Sequence, residues 1–363
     1  MLKKSIIIIL LIMSMVSIVS AEETSDQDAI NDAIDEAYNA GGGTVEIEGY
    51  FEIDAPIIMK PNVHLKGVNG TIVTVSPDSD QFFVDGTGLI DHEGNPDGVK
   101  VSGFTLDGNM WAFPTSWANS GKGDHNAERA IDLRGSSNDF AEDISIHDMN
   151  IINCYSDAIH ITFAENVDIY NNKISNCQHS SIYLVSVKHG EIKNNDVEGI
   201  TSDSIRLDNC EDSSVYSNTL STYTGDSNGA YKGGQNGIQI ADQGYSHGGG
   251  SDKPTHTKNI EVYANTFEDT GLRDIWLDST GKGVENVYIH DNNFEDGKEI
   301  TTDGVTNTGL VKNLDTVKVT GYDSDAINDA IESASDGDTV QLEAEEYKID
   351  KQIVLTKGIT LKG

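Results

Sequence analysis

The stretch "SDAIHITFAENVDIYNNKISNCQHSSIYLVSVKHGEIKNNDVEGITSDSIRLDNC" (residues 156–210) says nearly the same thing three times. Ile159-His160-Ile161, Ile182-Tyr183-Leu184 and Ile205-Arg206-Leu207 recur every 23 residues and differ mainly in the middle residue. A second phrase, a branched apolar residue followed three positions later by asparagine, runs in step: Ile169/Asn172, Ile192/Asn195, Val215/Asn218, Val262/Asn265 and Ile289/Asn292. From that phrase to the next Ile-x-Leu is 13 residues and back again is 10, with departures confined to insertions between intact phrases. Apolar and polar residues alternate over about five positions, which is the period of a strand. Several short strands per fixed period, bounded by Asn, Asp and Gly, predict the coils of a parallel β-helix. The recurring Asn belongs at a turn, where side-chain amides bond up and down the stack. On that reading Ile192 or Ile205 to Asp unfolds the coil, whereas Asn195 to Ala costs about 1 kcal/mol, one hydrogen bond. No proline lies between Pro114 and Pro254, which suits strands that donate on both sides.

The segment "SDQDAINDAIDEAYNAGGGTVEIEGYFEIDAPIIMKPNVHLKG" (residues 25–67) resembles the opening of the pectate-lyase-like superfamily of right-handed β-helices: a capping helix (Ala29 to Tyr38), then Gly-Gly-Gly-Thr-Val and the first strands. The resemblance covers residues 25 to about 300 and implies an all-β solenoid whose relatives include secreted polysaccharide lyases, hydrolases and epimerases. A cap is physically required, since a bare first coil would expose a sheet edge and an open core. The same opening returns as "DSDAINDAIESASDGDTVQLEAEEYKIDKQIVLTKGITLKG" (residues 323–363), where Ala326 to Ile331 repeats Ala29 to Ile34 and Leu361-Lys362-Gly363 repeats Leu65-Lys66-Gly67. The expected organisation is therefore a leader at 1–21, a β-helix at 22–319 and the start of a second such unit at 320–363, within a longer tandem protein. The competing arrangement folds 323–363 back as a terminal cap on the first domain.

The leader reading rests on Lys3 and Lys4, the apolar run from Ile6 to Val19 and Ser20-Ala21 before Glu22, a pattern for export with cleavage after Ala21. The run is interrupted by Ser14 and Ser17 and falls short of the ~20 residues that span a bilayer. A formal charge of −36 argues against nucleic acid as partner, because phosphate contacts need a basic face. Cys154 and Cys177 stand in equivalent "NC" phrases and are expected to stack on neighbouring rungs as buried thiols, a disulfide being the alternative.

The middle residues of the Ile-x-Leu phrases point away from the core. Up the stack they read Asp132, His160, Tyr183, Arg206, Gln239 and Trp276; the next outward column reads Arg134, Thr162, Val185, Asp208, Ala241 and Asp278. The chain has four arginines, Arg129, Arg134, Arg206 and Arg273, all on or beside this strip. Arginine's forked donors suit carboxylates and sulfates. Three insertions flank the strip, at 108–128, 222–235 and 242–257, the first carrying Trp111, Phe113 and Trp117; these rings either stack on sugars or cap the core. The expected partner is an anionic, uronate-containing polysaccharide, cleaved by β-elimination with His160, Tyr183 and Arg206 as base, acid and neutraliser, and with Asp132, Arg134, Gln239, Trp276, Arg129, Arg273, Asp208, Trp111 and Trp117 binding substrate. Asp132, Asp157, Asp203 and Asp208 offer carboxyls for hydrolysis instead, although Asp157 and Asp203 fall in a turn phrase where Asp caps backbone. The Asn-Thr-Asp, Asp-Asp, Gly-His-Gly and Arg-Ile-Lys signatures of polygalacturonases and the Asp-Pro-His of alginate epimerases are absent. Acids in "LDNCED" (207–212) and "RDIWLD" (273–278) make calcium a candidate cofactor. A cell-surface adhesive or structural β-helix without turnover stands as the opposing class.

Overall fold

The computed structural model describes residues 25–76, 88–109, 129–222, 236–242, 256–294, 300–303, 312–314 and 316–363, apart from positions 155, 178, 200, 201, 282, 283, 336, 337, 344, 345, 356 and 357, together with strands Ile7–Ile12 and Met15–Val19. Trp111, Phe113 and Trp117 and most of the two later insertions lie outside the described residues.

Short strands wind into three parallel ladders. Ladder 1 contains Gly88–His92, Arg129–Arg134, residues 159–162 and 182–185, Asp203–Asp208, Asn236–Asp242 and Arg273–Gly281, each in register with the next. Ladder 2 contains Ala141–His147, residues 164–170 and 187–193, Glu211–Tyr216, Lys258–Tyr263 and Glu285–His290. Ladder 3 contains Asn150–Cys154, Lys173–Cys177, Asp196–Gly199, Thr219–Thr222 and Thr266–Glu268. The inward positions predicted from the alternation, Ile131, Ile159, Ile182, Ile205, Ile238 and Ile275, are all fully buried. Cys154 and Cys177 are register partners in ladder 3, buried as free thiols.

Two bends set the shape. Between ladders 1 and 2 a single residue turns the chain through the left-handed region: Phe163, Ser186 and Asn209 have φ of 52°, 55° and 57°. The strands Ile159–Tyr170 and Ile182–Lys193 therefore serve both ladders without a loop. Between ladders 2 and 3 stands the asparagine column. Asn195 Nδ2 donates to Ile169 O (3.0 Å) and to Asn218 Oδ1 (3.0 Å), while its Oδ1 accepts from the backbone N (2.9 Å) and Nδ2 (2.9 Å) of Asn172. Asn218 bonds Asn265 in the same way across 47 residues, so one rung absorbs two insertions without breaking the column.

Outward on ladder 2, rings stack nearly parallel: His147 on Tyr170 (4.6 Å between centroids), Tyr216 on Tyr263 (4.8 Å) and Tyr263 on His290 (5.0 Å). The stacked faces cover one another, so this column contributes packing between rungs.

The helix α1 (Asp26–Asn39) closes the first coil with Ala29, Ile30, Ala33, Ile34 and Ala37. It extends past both ends of the expected segment. Asn31 pins it, donating to Pro56 O (3.1 Å) and accepting from Ile58 N (2.8 Å). Ile7–Ile12 pairs antiparallel with Met15–Val19 and with Gly43–Glu48. At the other end Thr316–Lys318, Thr339–Gln341 and Thr360–Lys362 form a separate three-stranded parallel sheet under α2 (Ser324–Ser333), around Val319, Ile327, Ala330, Ile331 and Val340.

The Asn195 geometry revises the single-bond expectation. Its side chain satisfies four buried groups, so Asn195→Ala strands several at once and should destabilise by about 2–4 kcal/mol rather than about 1. Urea unfolding of Asn195→Ala beside Ile192→Asp, which should not fold, checks both the column and the register.

Candidate functional site

Parallel register brings the outward middle residues of ladder 1 into direct contact. Asp132, His160, Tyr183, Arg206, Gln239 and Trp276 pair rung by rung. At ~4.8 Å between strands, unlike side chains in one column must touch. The His160 and Tyr183 rings meet edge to face at 5.2 Å, and the Arg206 guanidinium lies over the Tyr183 ring at 4.9 Å. Higher up, Arg273 covers Trp276 at 4.8 Å and Gln239 Nε2 donates to Asp278 (3.3 Å).

Asp132 is the hub of the lower half. It accepts from His160 Nδ1 (2.8 Å), Arg129 Nη1 (3.0 Å) and Arg134 Nε (2.8 Å), with Arg134 Nη2 also on the same carboxylate. Burial alone would raise its pKa; His160 and the two arginines outweigh burial and hold it well below the usual carboxylate range. His160 is nearly fully buried, and that burial lowers its pKa despite the Asp132 bond. A neutral ring with Nδ1–H given to Asp132 presents its Nε2 lone pair, which lies 3.4 Å from Thr162 Oγ1.

A second histidine stands beside it. His179 Nδ1 lies 2.7 Å from Asp157 Oδ1, which also accepts from Ser180 N (3.1 Å), while Asp157 Oδ2 accepts from Arg129 Nε (3.1 Å). Burial would lower the His179 pKa, but the Asp157 carboxylate overrides burial and raises it. The rings of His160 and His179 therefore hold opposite protonation tendencies while both facing Tyr183, at 5.2 and 6.2 Å. The Tyr183 hydroxyl donates to Asp208 Oδ2 (3.3 Å), and burial drives its pKa well above the ordinary value. Asp208 also faces Arg206 Nη2 at 3.7 Å. Asp203, buried two rungs above Asp157, has its pKa raised, chiefly by burial.

The profile described as right handed beta helix region matches residues 118–247. Among solved structures, an exopolygalacturonase from Thermotoga maritima is 17% identical over 90% of this chain and 82% of its own, with a TM-score of 0.55. A polygalacturonase from Erwinia carotovora ssp. carotovora is 11% identical over 95% of this chain and 96% of its own, TM-score 0.52. This chain has the right-handed, pectate-lyase-like β-helix fold. The tailspike protein of E. coli bacteriophage HK620, in complex with a pentasaccharide, shares it at 13% identity over 95% of this chain and 62% of its own, TM-score 0.53. Comparison with curated proteins returns no match. At these identities the likeness establishes architecture alone.

On this β-helix the sequence-selected residues that are described line one strip of ladder 1. Asp132, Arg129, Arg134, His160, Tyr183, Arg206 and Asp208 form one continuous network, and Gln239, Trp276 and Arg273 continue the same strip one and two rungs above Arg206. The strip is deeper than an open groove, since Asp132, His160, Tyr183, Arg206 and Gln239 are each at most 6% exposed. The acids proposed for calcium diverge: Asp208 faces Tyr183, Asp212 accepts from Asn259 at the far turn, Asp274 accepts from Thr270 and Asp278 from Gln239. No group of three such ligands comes together among the described residues. His179 is the site residue that pattern reading passed over; Asp157 and Asp203, read there as carboxyls in a turn phrase, flank it in the stack. The signal for His179 is the turn column Ser156, His179, Ser202, where one histidine stands among serines.

Replacing Asp132 tests the hub. Asp132→Asn leaves two guanidiniums short of their shared carboxylate and should cost on the order of 2–4 kcal/mol, below the full buried-pair penalty because both arginines are partly exposed. Because the folded pKa of Asp132 is depressed, its contribution is present above the unfolded value of about 3.9 and is lost as pH falls through the folded one. Acid unfolding of the wild type should show that loss, and Asp132→Asn should flatten it.

Proposed function

We propose that this β-helix binds a uronate-containing polysaccharide along ladder 1 and cleaves it by β-elimination. The observation that carries the proposal is the placement of arginine: the four in the chain all lie on the strands of one ladder out of three, and Arg129, Arg134 and Arg206 stand in the network of two histidines of opposed proton affinity. Bulk negative charge does not prevent this, since exposed charges more than about 8 Å away are screened at physiological ionic strength. Arg206 pairs with the sugar carboxylate, which acidifies the adjacent C5 proton. His160 Nε2 takes that proton as the C4–O bond breaks, the electron pair forms the C4–C5 double bond, and a proton from His179 Nε2 goes to the leaving oxygen. His179 replaces Tyr183 as the acid, because the Tyr183 proton is held too tightly and is already given to Asp208. Tyr183 then positions both histidines and Arg206. The apolar run that follows Lys3 and Lys4 supports export, with a mature protein beginning at Glu22.

One observation favours a hydrolytic alternative: buried Asp203, whose raised pKa favours a proton-bearing carboxyl, sits two rungs from ionised Asp157, roughly 9.6 Å along the ladder by the strand spacing.

Incubation with a panel of uronate and neutral polysaccharides separates the readings. Elimination yields an ultraviolet-absorbing unsaturated end with each new reducing end; reducing ends alone would show hydrolysis; binding without either would make the protein an adhesive surface. Under elimination, His160→Ala should lower kcat by about 100-fold or more with a smaller change in KM. Arg206→Lys should also impair turnover strongly, because the fork is lost while the charge stays.

The pH profile is a separate check. Turnover needs neutral His160 and protonated His179, so its acid limb should fall below the ordinary histidine pKa of about 6.5 and its alkaline limb above it. His179→Gln should abolish the alkaline limb while the acid limb stays.

A further inference from the structure

The two histidines of the site are joined by a symmetrical chain of contacts. Each partner carboxylate gives Oδ1 to its histidine and Oδ2 to the same arginine. Asp132 Oδ1 accepts from His160 Nδ1 (2.8 Å) and Asp132 Oδ2 from Arg129 Nη1 (3.0 Å). Asp157 Oδ1 accepts from His179 Nδ1 (2.7 Å) and Asp157 Oδ2 from Arg129 Nε (3.1 Å). Backbone pairing seats the arginine there: Ala130 N donates to Asp157 O (2.9 Å), which holds the preceding Arg129 beside Asp157, while Arg129 and Asp132 share one strand. Arg129, expected from sequence to bind substrate, thus already gives two nitrogens to protein carboxylates.

This contact chain bears on how charge moves. Elimination as proposed above carries one positive charge from His179 to His160, since one loses a proton as the other gains one. A charged His179 shares Asp157 with Arg129, so the guanidinium weighs more on Asp132. Asp132 then has less negative charge to offer a proton on His160, and a neutral His179 reverses the balance. Arginine suits the task because its donors are fixed in one plane and its own charge does not titrate. Other groups also face the pair. Arg134 bonds Asp132; Asp157 and Tyr183 face His160; Asp203, Arg206 and Tyr183 face His179. Arg129 is bonded to both carboxylates. We infer that Arg129 is a positioning residue that couples the two histidines, so that a proton on either disfavours a proton on the other. The roles of the histidines rest on the elimination reading, whereas the coupling is a property of the free protein.

The test therefore needs no polysaccharide. NMR titration of the imidazole signals follows His160 in the wild type, in His179→Gln, in Arg129→Gln and in the double variant. His179→Gln should raise the titration midpoint of His160 by about half a pH unit or more. With Arg129→Gln as background, the same substitution should move it less than half as far. Arg129→Lys keeps the charge and guards against failure of Arg129→Gln to fold; it should lose the coupling too, since one ammonium lacks the fork. An equal movement of His160 with and without Arg129 would assign the coupling to direct repulsion and overturn the inference. Full coupling in Arg129→Lys would overturn it as well, and so would a His160 midpoint that ignores His179→Gln. In turnover, the acid limb that remains in His179→Gln should move to higher pH with that midpoint. Absence of cleavage would sink the elimination reading and leave the titration result standing, so the two failures are told apart.

Discussion

Parallel in-register pairing forces each side chain to lie against the side chain at the same position of the next coil, ~4.8 Å away. Everything else in this β-helix follows from how each column meets that demand. Inward columns meet it with isoleucine on isoleucine. The turn column meets it with asparagine, whose amide both donates and accepts, so each member satisfies the next. Outward on ladder 2, aromatic rings meet it by stacking.

Ladder 1 is where the demand is met by unlike groups. An acid, an imidazole, a phenol and a guanidinium stand in succession, and each becomes the electrostatic environment of its neighbours. With little water to screen them, the carboxylates decide the outcome. Asp132 already holds two arginines and does not outweigh the burial that lowers the His160 pKa, whereas Asp157 outweighs burial and raises that of His179. Two residues of one type, both bonded to aspartate and both facing Tyr183, thus acquire opposite tendencies from the number of cations already on each carboxylate.

The ends of a solenoid obey the same rule in its negative form. A column that stops leaves an apolar edge, and α1 removes that edge at the first coil by laying Ile30 and Ile34 across it. The helix α2 packs Ile327 and Ile331 on its own sheet in the same way.

The repeat of Ile-x-Leu and branched-apolar-to-Asn phrases determined the coil period, the register, the inward set and the asparagine column, because backbone pairing transmits local periodicity directly into space. It also placed Asp132, His160, Tyr183 and Arg206 in one column, for the same reason. Period alone could not decide what lies off the strands. His179 belongs to a turn, and only the path of that turn brings its Nδ1 to Asp157 and its ring to Tyr183. Nor could it show how deeply the strip is closed in, with His160, Tyr183 and Arg206 each at most 6% exposed. Burial is a property of the neighbour, and the neighbour is supplied by the tertiary structure.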